Sequence, residues 1–402
     1  MRLVADLQLH SKYALATSRD MDLEHLAEGA KAKGLGLLGT GDFTHPKWFA
    51  ELREKLEPIS GTGIFSYRGM NWMLAGEVST VYEQEGKTRK VHHLIYSPDL
   101  EVVSQMNEAL SRYGNLASDG RPVLKGIDSA ELVELLTSTS KDVVVIPAHC
   151  WTPWFGVFGS RSGFDSLEEC YQDQAPKIFA IETGLSSNPE MNWRLSSLDK
   201  VALVSNSDAH SPNPWRLGRE ANVFELDRLT YAGIFDAIRL KDGTRFLYTI
   251  EVDPAYGKYH FTGHKKCGVS LSPRDAIRID NRCPKCGRKL TVGVLQRVDQ
   301  LADRPEGFRP EGAIPFKSLL PLYEVISFAT GVNRLYAKAV LEQQDRLIHA
   351  FGGELAVLLD APFDDLLRHS KEEVARAIVA VRENRLKFMP GYDGVYGVPS
   401  LP

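Results

Sequence analysis

Residues 1–10, MRLVADLQLH, decide how the rest of the chain is read. Asp6, Gln8 and His10 alternate with Leu7 and Leu9. A period of two places the three polar side chains on one strand face and the two leucines on the other. Either the strand end simply meets solvent, or an Asp, a Gln and a His are held at its tip for chemistry.

The runs that follow repeat this pattern. Up to about residue 255, strand-like stretches (LVADLQL, LGLLGTG, VHHLIY, DVVVIPAH, IFAIETG, VALVSNSDAH) alternate with helical ones such as DLEHLAEGAKAKG and DSAELVELLTSTS. This alternation predicts an α/β domain with a mostly parallel sheet or barrel. The runs close on residues that bind metals: Asp6, Gln8 and His10, then Asp42 and His45, Glu77, His92 and His93, His149, Glu182, and finally Asp208 and His210. Seven such tips exceed coincidence. In α/β barrels, ligands gather where the carboxyl ends of separate strands converge. Mixed imidazole and carboxylate donors suit Zn, Mn or Fe, and several of each suit a multinuclear site.

Some members of the set have plainer readings. Neighbours on a strand face opposite sides, so His92 and His93 do not both point inward, and His92 is the favoured ligand. His25 lies in a helical pattern and reads as a surface or packing residue. His45 precedes Pro46 in a turn and is open to a structural role. Cys150 reads as a small buried residue, because metals that activate water need no thiol nucleophile.

With 402 residues, 43% hydrophobic and 25% charged, the chain has the composition of a globular protein of two or three domains. It has no run of membrane-spanning length and no signal-peptide pattern. Its five cysteines, three of them within 267–286, argue against a secreted disulfide framework. The expected compartment is the cytoplasm. The net charge is -4, but residues 258–297 hold ten Lys/Arg against Asp275 and Asp280, a local +8 that leaves -12 elsewhere. So dense a basic stripe is a candidate phosphate-binding surface.

That stripe contains His264-x2-Cys267-x15-Cys283-x2-Cys286, two ligand pairs at the spacing of a structural zinc site. His260 is the alternative to His264, with a poorer spacing. Four protein ligands close the coordination shell, so the role is folding. Lys265, Lys266, Lys285, Arg288 and Lys289 travel with the ligands, so zinc would fix a positive surface suited to duplex DNA. The domains expected are 1–255, a zinc-binding module at 256–298 and a helical domain at 299–402.

The ordered set DLQLHSKY, GTGDFTHP, AGE, VHH, PAH and SDAH resembles the polymerase-and-histidinol-phosphatase (PHP) domain. The resemblance implies a distorted (β/α)7 barrel holding two or three divalent metals (Zn, Mn or Mg) for phosphoester hydrolysis. On it, Gln8, His10, Asp42, Glu77, His92, His149, Asp208 and His210 are the catalytic ligand set, with Asp6 or Asp42 bridging or orienting. His93 and Glu182 are further members, Glu182 as a supporting residue. The family opens on His-x-His, where this chain has Gln8-x-His10. A neutral amide oxygen is a weaker zinc ligand than imidazole. Gln8 is a ligand variant, the mark of lost catalysis, or an exchange made to trap a substrate, and the integrity of the other motifs favours the last.

With GKYHFTGHKKCGVSLSPRDAI, CPKCGRKLTVGVLQRVDQLADRPEG and PGYDGVYG added, essentially the whole chain resembles the endonuclease Q family. This implies a DNA repair nuclease, associated with the nucleoid, that recognises hypoxanthine, uracil, xanthine or an abasic site in duplex DNA. It would cut 5′ of the lesion. A sliding clamp or another repair factor is the protein partner expected, and a monomer the expected state. Such an enzyme unstacks its target base, which aromatic loop residues would hold. Trp48 and Trp72 are candidates, and so is the stretch following His149, with Trp151, Trp154, Phe155 and Phe158. Gly156, Gly159 and Gly163 are expected to let that loop approach a ligand. A metabolite phosphoesterase and a non-catalytic lesion-binding protein are the alternatives.

Overall fold

The computed structural model describes residues 1–332, 334 and 336–400. Strand β1 (Arg2–Asp6) pairs in parallel with β2 (Leu37–Gly39), and β2 in parallel with β3 (Met70–Gln84). The first crossover is the helix Leu23–Lys33. Asp22 caps its start by accepting the His25 N–H, and Gly34, at φ 94°, ends it in the left-handed conformation. His25 sits on this helix surface against Asp22.

The pattern then departs from the expected mostly parallel order. Strand β4 (Lys87–Ser97) runs antiparallel to β3, because the chain reverses through Glu85 and Gly86, both at positive φ. That is the two-residue turn that matches strand twist. β4 also pairs antiparallel with β5 (Val144–Pro147), while β6 (Ala180–Glu182) and β7 (Ala202–Val204) form a separate parallel pair. Single bonds span the gaps. The Cys150 N–H donates to the Glu182 carbonyl, the Leu7 N–H donates to Asn206 Oδ1 at 2.9 Å, and Leu9 bridges to Ala209. The fold is mixed α/β. Leu3, Ala5, Leu37, Met73, Leu94, Ile146, Ala180 and Ala202 share one buried cluster between the strands.

Residues after 299 do not enter a helical layer at once. The strand Phe316–Ser318 joins the edge of the main sheet beside Phe246–Glu251. Helices then occupy Leu322–Ala329, Lys338–Phe351, Glu354–Leu359, Phe363–His369 and Glu372–Arg382. A final hairpin, Lys387–Met389 with Val398–Ser400, returns to the middle of the chain, where the Phe261 N–H donates to the Gly391 carbonyl. A buried ion pair ties the helical layer to the first crossover: Lys33 Nζ lies 2.6 Å from Glu354 Oε1 and also donates to the Pro214 carbonyl. No helix among the described residues is long and apolar enough to cross a membrane.

Below the strand tips lies a pair of buried carboxyls. Glu251 accepts from Thr249 Oγ1 at 2.6 Å and Thr183 Oγ1 at 2.9 Å. Burial pushes its carboxyl up to about 8 from an ordinary 4.5, and Glu220 beside it is raised as well, by burial and then by Glu251. A raised carboxyl binds its proton more tightly folded than unfolded. Its contribution is therefore fully present below the unfolded value and lost as pH rises through about 8. Melting temperature should fall between about pH 4.5 and about pH 8, and Glu251→Gln should flatten that fall. Parallel profiles for the two proteins would show that Glu251 does not carry it.

Candidate metal centre and its cleft

The β3–β4 hairpin sets the centre. Ser79 pairs with His92 and Glu77 with Leu94, so Glu77 and His92 share one face of the ladder. His93, opposite Val78, faces the other way. Its Nδ1 meets Tyr171 Oη at 3.0 Å and its Nε2 meets Thr80 Oγ1 at 3.0 Å. The expectation of His93 as a ligand is corrected: it is a core histidine in a hydroxyl network, held neutral by burial, which lowers its pKa to about 3. Glu77 and His92 also lie mid-strand rather than at strand tips, because the hairpin extends well past the centre.

Two groups of donors converge on Glu77. His92 Nδ1 is 2.8 Å and His149 Nε2 3.4 Å from Glu77 Oε1. On the other side, His10 Nε2 is 3.2 Å from Glu77 Oε2 and 3.0 Å from Asp208 Oδ1, and the His210 ring stands 4.6 Å from that of His10. The ligand atoms of Glu77, His92 and His149 lie within 4.8 Å of one another, as do those of His10, Asp208 and His210. Despite these distances, Glu77 Oε1, His10 Nε2, Asp208 Oδ1 and Gln8 Oε1 have no aligned hydrogen bond among the described residues. Buried polar atoms are ordinarily bonded, so a cluster of unbonded lone pairs calls for a cation. Imidazole and carboxylate donors in two groups sharing a carboxylate fit a pair of divalent metals.

Surrounding residues aim and charge these donors. Asp42 Oδ1 accepts from His10 Nδ1 at 2.9 Å, which leaves Nε2 bare toward the centre, and Asp42 also accepts from the Ser11 N–H and hydroxyl. Asp42 therefore orients a ligand. A side chain at Gly120 would strike Asp42 Oδ2. Gln8 Nε2 donates to Glu77 Oε2 at 2.9 Å. Burial works against Glu77's charge, but the Arg121 guanidinium and the imidazoles of His10 and His149 hold its carboxyl well below the usual range. Burial also lowers His92 to about 3, keeping the ring neutral with one nitrogen lone pair free.

Asp6 and Glu182 do not reach the centre. Asp6 accepts from the Ser207 N–H and hydroxyl and the Gly218 N–H, holding the loop that bears Asp208. Glu182 accepts from the His149 N–H at 2.7 Å and Asn206 Nδ2 at 2.8 Å, and burial raises its pKa to about 8. Both fix ligand loops rather than offer a lone pair. His45 stacks on Tyr13 and sits at the N-cap position of the helix Pro46–Lys55 without a side-chain capping bond, apart from the two donor groups. Cys150 is buried, and burial drives its thiol well above the usual range, so it offers no nucleophile.

A cleft of about 630 Å³ opens over His92, His149, Asp208 and His210. Its walls carry Arg121, Arg216, Arg219 and Lys258, with Trp154, Tyr259 and Tyr396. Trp154 is 41% exposed and meets Tyr259 edge to face, while the Phe155 ring lies 4.3 Å from His92. Trp151 is corrected as a contact residue: it is buried, bonded to Asn192 and packed on Phe158. Trp48 and Trp72 are likewise core. The glycines do not open the loop to a ligand. A Cβ at Gly156, Gly159 or Gly163 would strike the loop's own backbone, so they let the loop fold upon itself.

His264, Cys267, Cys283 and Cys286 gather into a third donor group, with His264 Nδ1 3.4 Å from Cys286 Sγ. His260 stacks on Phe261 outside it. Lys265, Lys266, Lys285, Arg288 and Lys289 are all exposed around this group.

With this geometry the chain can be set beside known proteins. The crystal structure of the lesion-specific endonuclease PfuEndoQ from Pyrococcus furiosus is 36% identical and superposes with a TM-score of 0.89 over 100% of this chain and 96% of that one. The chain belongs to the endonuclease Q family. A structure of endonuclease Q complexed with a 27-mer duplex substrate, with an abasic lesion at the active site, matches equally: TM-score 0.89, 36% identity, 100% of this chain and 97% of that one. The uncharacterized protein MJ0043 of Methanocaldococcus jannaschii is 36% identical over 258 residues, 62% of this chain. The chain spans 31% of that relative's length. The family model for the MJ0043 C-terminal domain matches residues 321–385, which contain the five helices.

Several wall residues of this endonuclease Q homologue escape a reading of motifs. Arg216 and Arg219 follow the SDAH tip in a turn-rich run, Arg121 follows a turn dipeptide, and Tyr396 sits in PGYDGVYG. For Arg216 and Arg219 the signal available was adjacency to a ligand tip. For the centre itself, His92→Asn should lose metal from the Glu77 group on desalting. His93→Asn should retain it while losing about 1–3 kcal/mol of stability. Metal content and melting of the two variants separate the roles, and retention by His92→Asn would refute the assignment.

Proposed function

We propose that this chain is a metal-dependent endodeoxyribonuclease of DNA repair. It recognises a deaminated base (hypoxanthine, uracil or xanthine) or an abasic site in duplex DNA and hydrolyses the phosphodiester 5′ of the lesion. One observation carries the reading. Two lone-pair clusters sharing Glu77 form the floor of a cleft walled by four cations and three aromatic rings. The 36% identity to endonuclease Q over the whole chain supports it, as does that relative's complex with duplex DNA carrying an abasic lesion.

In this proposal residues 1–255 form a distorted (β/α)7 barrel that holds the centre through His10, Asp208 and His210 on one side and Glu77, His92 and His149 on the other. Bound divalent metals would supply activation of the attacking water and neutralise charge at phosphorus. Arg121, Arg216, Arg219 and Lys258 meet the phosphates on either side of the cut. Water oxygen joins phosphorus, the bond to the 3′ oxygen breaks, and that oxygen takes a proton, leaving 3′-hydroxyl and 5′-phosphate ends. Trp154, Tyr259 and Tyr396 offer faces for an unstacked nucleotide. Residues 256–298 bind zinc through His264, Cys267, Cys283 and Cys286 and present the basic face to the duplex, with the chain acting as a monomer.

Gln8 donates to the shared carboxylate, so it contributes to the centre even where it binds no metal. Nicking of a duplex carrying one deoxyinosine, with Mg or Mn, is the direct test, run with the chain and its Gln8→His form. A cut 5′ of the lesion by both makes Gln8 a working residue. A cut by the substituted form alone identifies Gln8 as the cause of an inactive centre. No cut by either, with metal bound, would sink the nuclease and leave the metabolite phosphoesterase or the lesion-binding protein. Salt-sensitive duplex binding would distinguish those two.

A further inference from the structure

The loop that forms the aromatic lip of the cleft is tied at both ends. At its inner end, the His92 N–H donates to the Phe155 carbonyl at 2.9 Å, and the Phe158 N–H donates to the carbonyl of Cys150, next to His149. Phe155, in the left-handed region at φ 65°, lays its ring against His92. The outer end is held by the cysteine-bearing module and the helix Val294–Leu301 that follows it. Ser160 Oγ donates to the Val292 carbonyl and Arg161 Nη2 to the Leu290 carbonyl, both at 3.2 Å. Arg297 reaches back from the helix. Its Nε donates to the Phe158 carbonyl at 3.0 Å and its Nη2 to the Phe164 carbonyl at 2.9 Å, and it pairs with Asp165.

We propose that Arg297, assisted by Arg161 and Ser160, is a positioning residue that keys the cysteine-bearing module to the 151–165 loop. It thereby fixes the lip at Trp154 and the backing of His92. The physical case is economy of satisfaction. Phe158 and Phe164 carbonyls sit in a loop too tightly folded to bond along a ladder, and a single planar guanidinium reaches both of them and a carboxylate. Lysine has the charge but not the fork. Arg161 adds a second tie, with its guanidinium 6.0 Å from the Trp154 ring. The basic module is therefore more than a DNA-binding surface: its placement is transmitted through backbone contacts to the residues beside two metal ligands.

The test uses the full chain with Arg297→Met, Arg297→Lys and Asp165→Asn. Asp165 is 66% exposed, so its substitution keeps the question answerable if Arg297→Met fails to fold. Amide hydrogen exchange across 151–165 should accelerate on the order of tenfold in Arg297→Met, less in the other two, with exchange in the β3–β4 hairpin turn unchanged. This arm stands whether or not the chain cuts DNA. A second arm rests on the nuclease reading, with the wild-type nick on a deoxyinosine duplex as its control. Affinity for the lesion duplex should drop on the order of tenfold, while affinity for the intact duplex holds. Unchanged loop exchange would overturn the proposal. Equal loss on lesion and intact duplexes would do so too, since it would place Arg297 in general DNA contact.

Discussion

A single carboxylate that must stay ionised without solvent organises this protein. Glu77 is buried, and each of its oxygens faces a different set of imidazoles. A charge withdrawn from water is held only where opposite charge or hydrogen bonds replace the hydration. Here Arg121 provides some of that compensation, Gln8 an N–H, and the two donor groups the remainder once cations occupy them. The hairpin that presents Glu77 beside His92 and the aspartate that turns His10 toward the centre follow from the same need. Asp42, His149 and Asp208 all adopt positive φ, a conformation unfavourable for these residues. Such strain persists at sites whose surroundings over-determine it.

The ligand motifs stood out because each donor follows or interrupts an apolar run, and an aspartate or a histidine in a buried strand needs a specific partner. Strand alternation alone says that only one of His92 and His93 faces the centre; which one is decided by the β3–β4 register, which sets His92 opposite Ser79 and His93 opposite Val78. The sequence leaves Asp6 and Asp42 between bridging and orienting, and Glu182 reads as supporting only because it lies outside the main motifs. A carboxylate bonded to backbone N–H groups and one with a bare lone pair look identical in sequence, since the difference lies in partners about 200 residues away for Asp6 and Ser207. The antiparallel turn at Glu85 and Gly86 was visible as a glycine between polar residues, but the alternation around it outweighed it.

Aromatic residues misled for a related reason. Trp151 and Trp154 stand three positions apart, and the sequence marks both as candidates for stacking. Only the folding of the loop upon itself, which Gly156, Gly159 and Gly163 permit, sends the first into the core and leaves the second at the lip. Close self-approach and close ligand approach demand the same residue, so glycine spacing alone does not choose between them.

The overall charge of -4 would by itself argue against DNA, but the sum hides how the charges are distributed. Five buried or half-buried carboxylates, Glu77, Asp208, Asp42, Asp6 and Glu182, lie at the floor or in the loops that hold it. Basic residues are set where a polyanion would lie: Arg121, Arg216, Arg219 and Lys258 around the cleft, and the exposed lysines and arginines around the cysteine cluster. Electrostatic steering depends on the potential at the surface approached, and it decays over about 10 Å at moderate salt. Distant carboxylates therefore do little to offset the basic face. What the sum conceals is this partition: cationic walls stand over a floor of carboxylate and imidazole donors, an arrangement in which a phosphate drawn to the walls would meet the donor groups only at the floor.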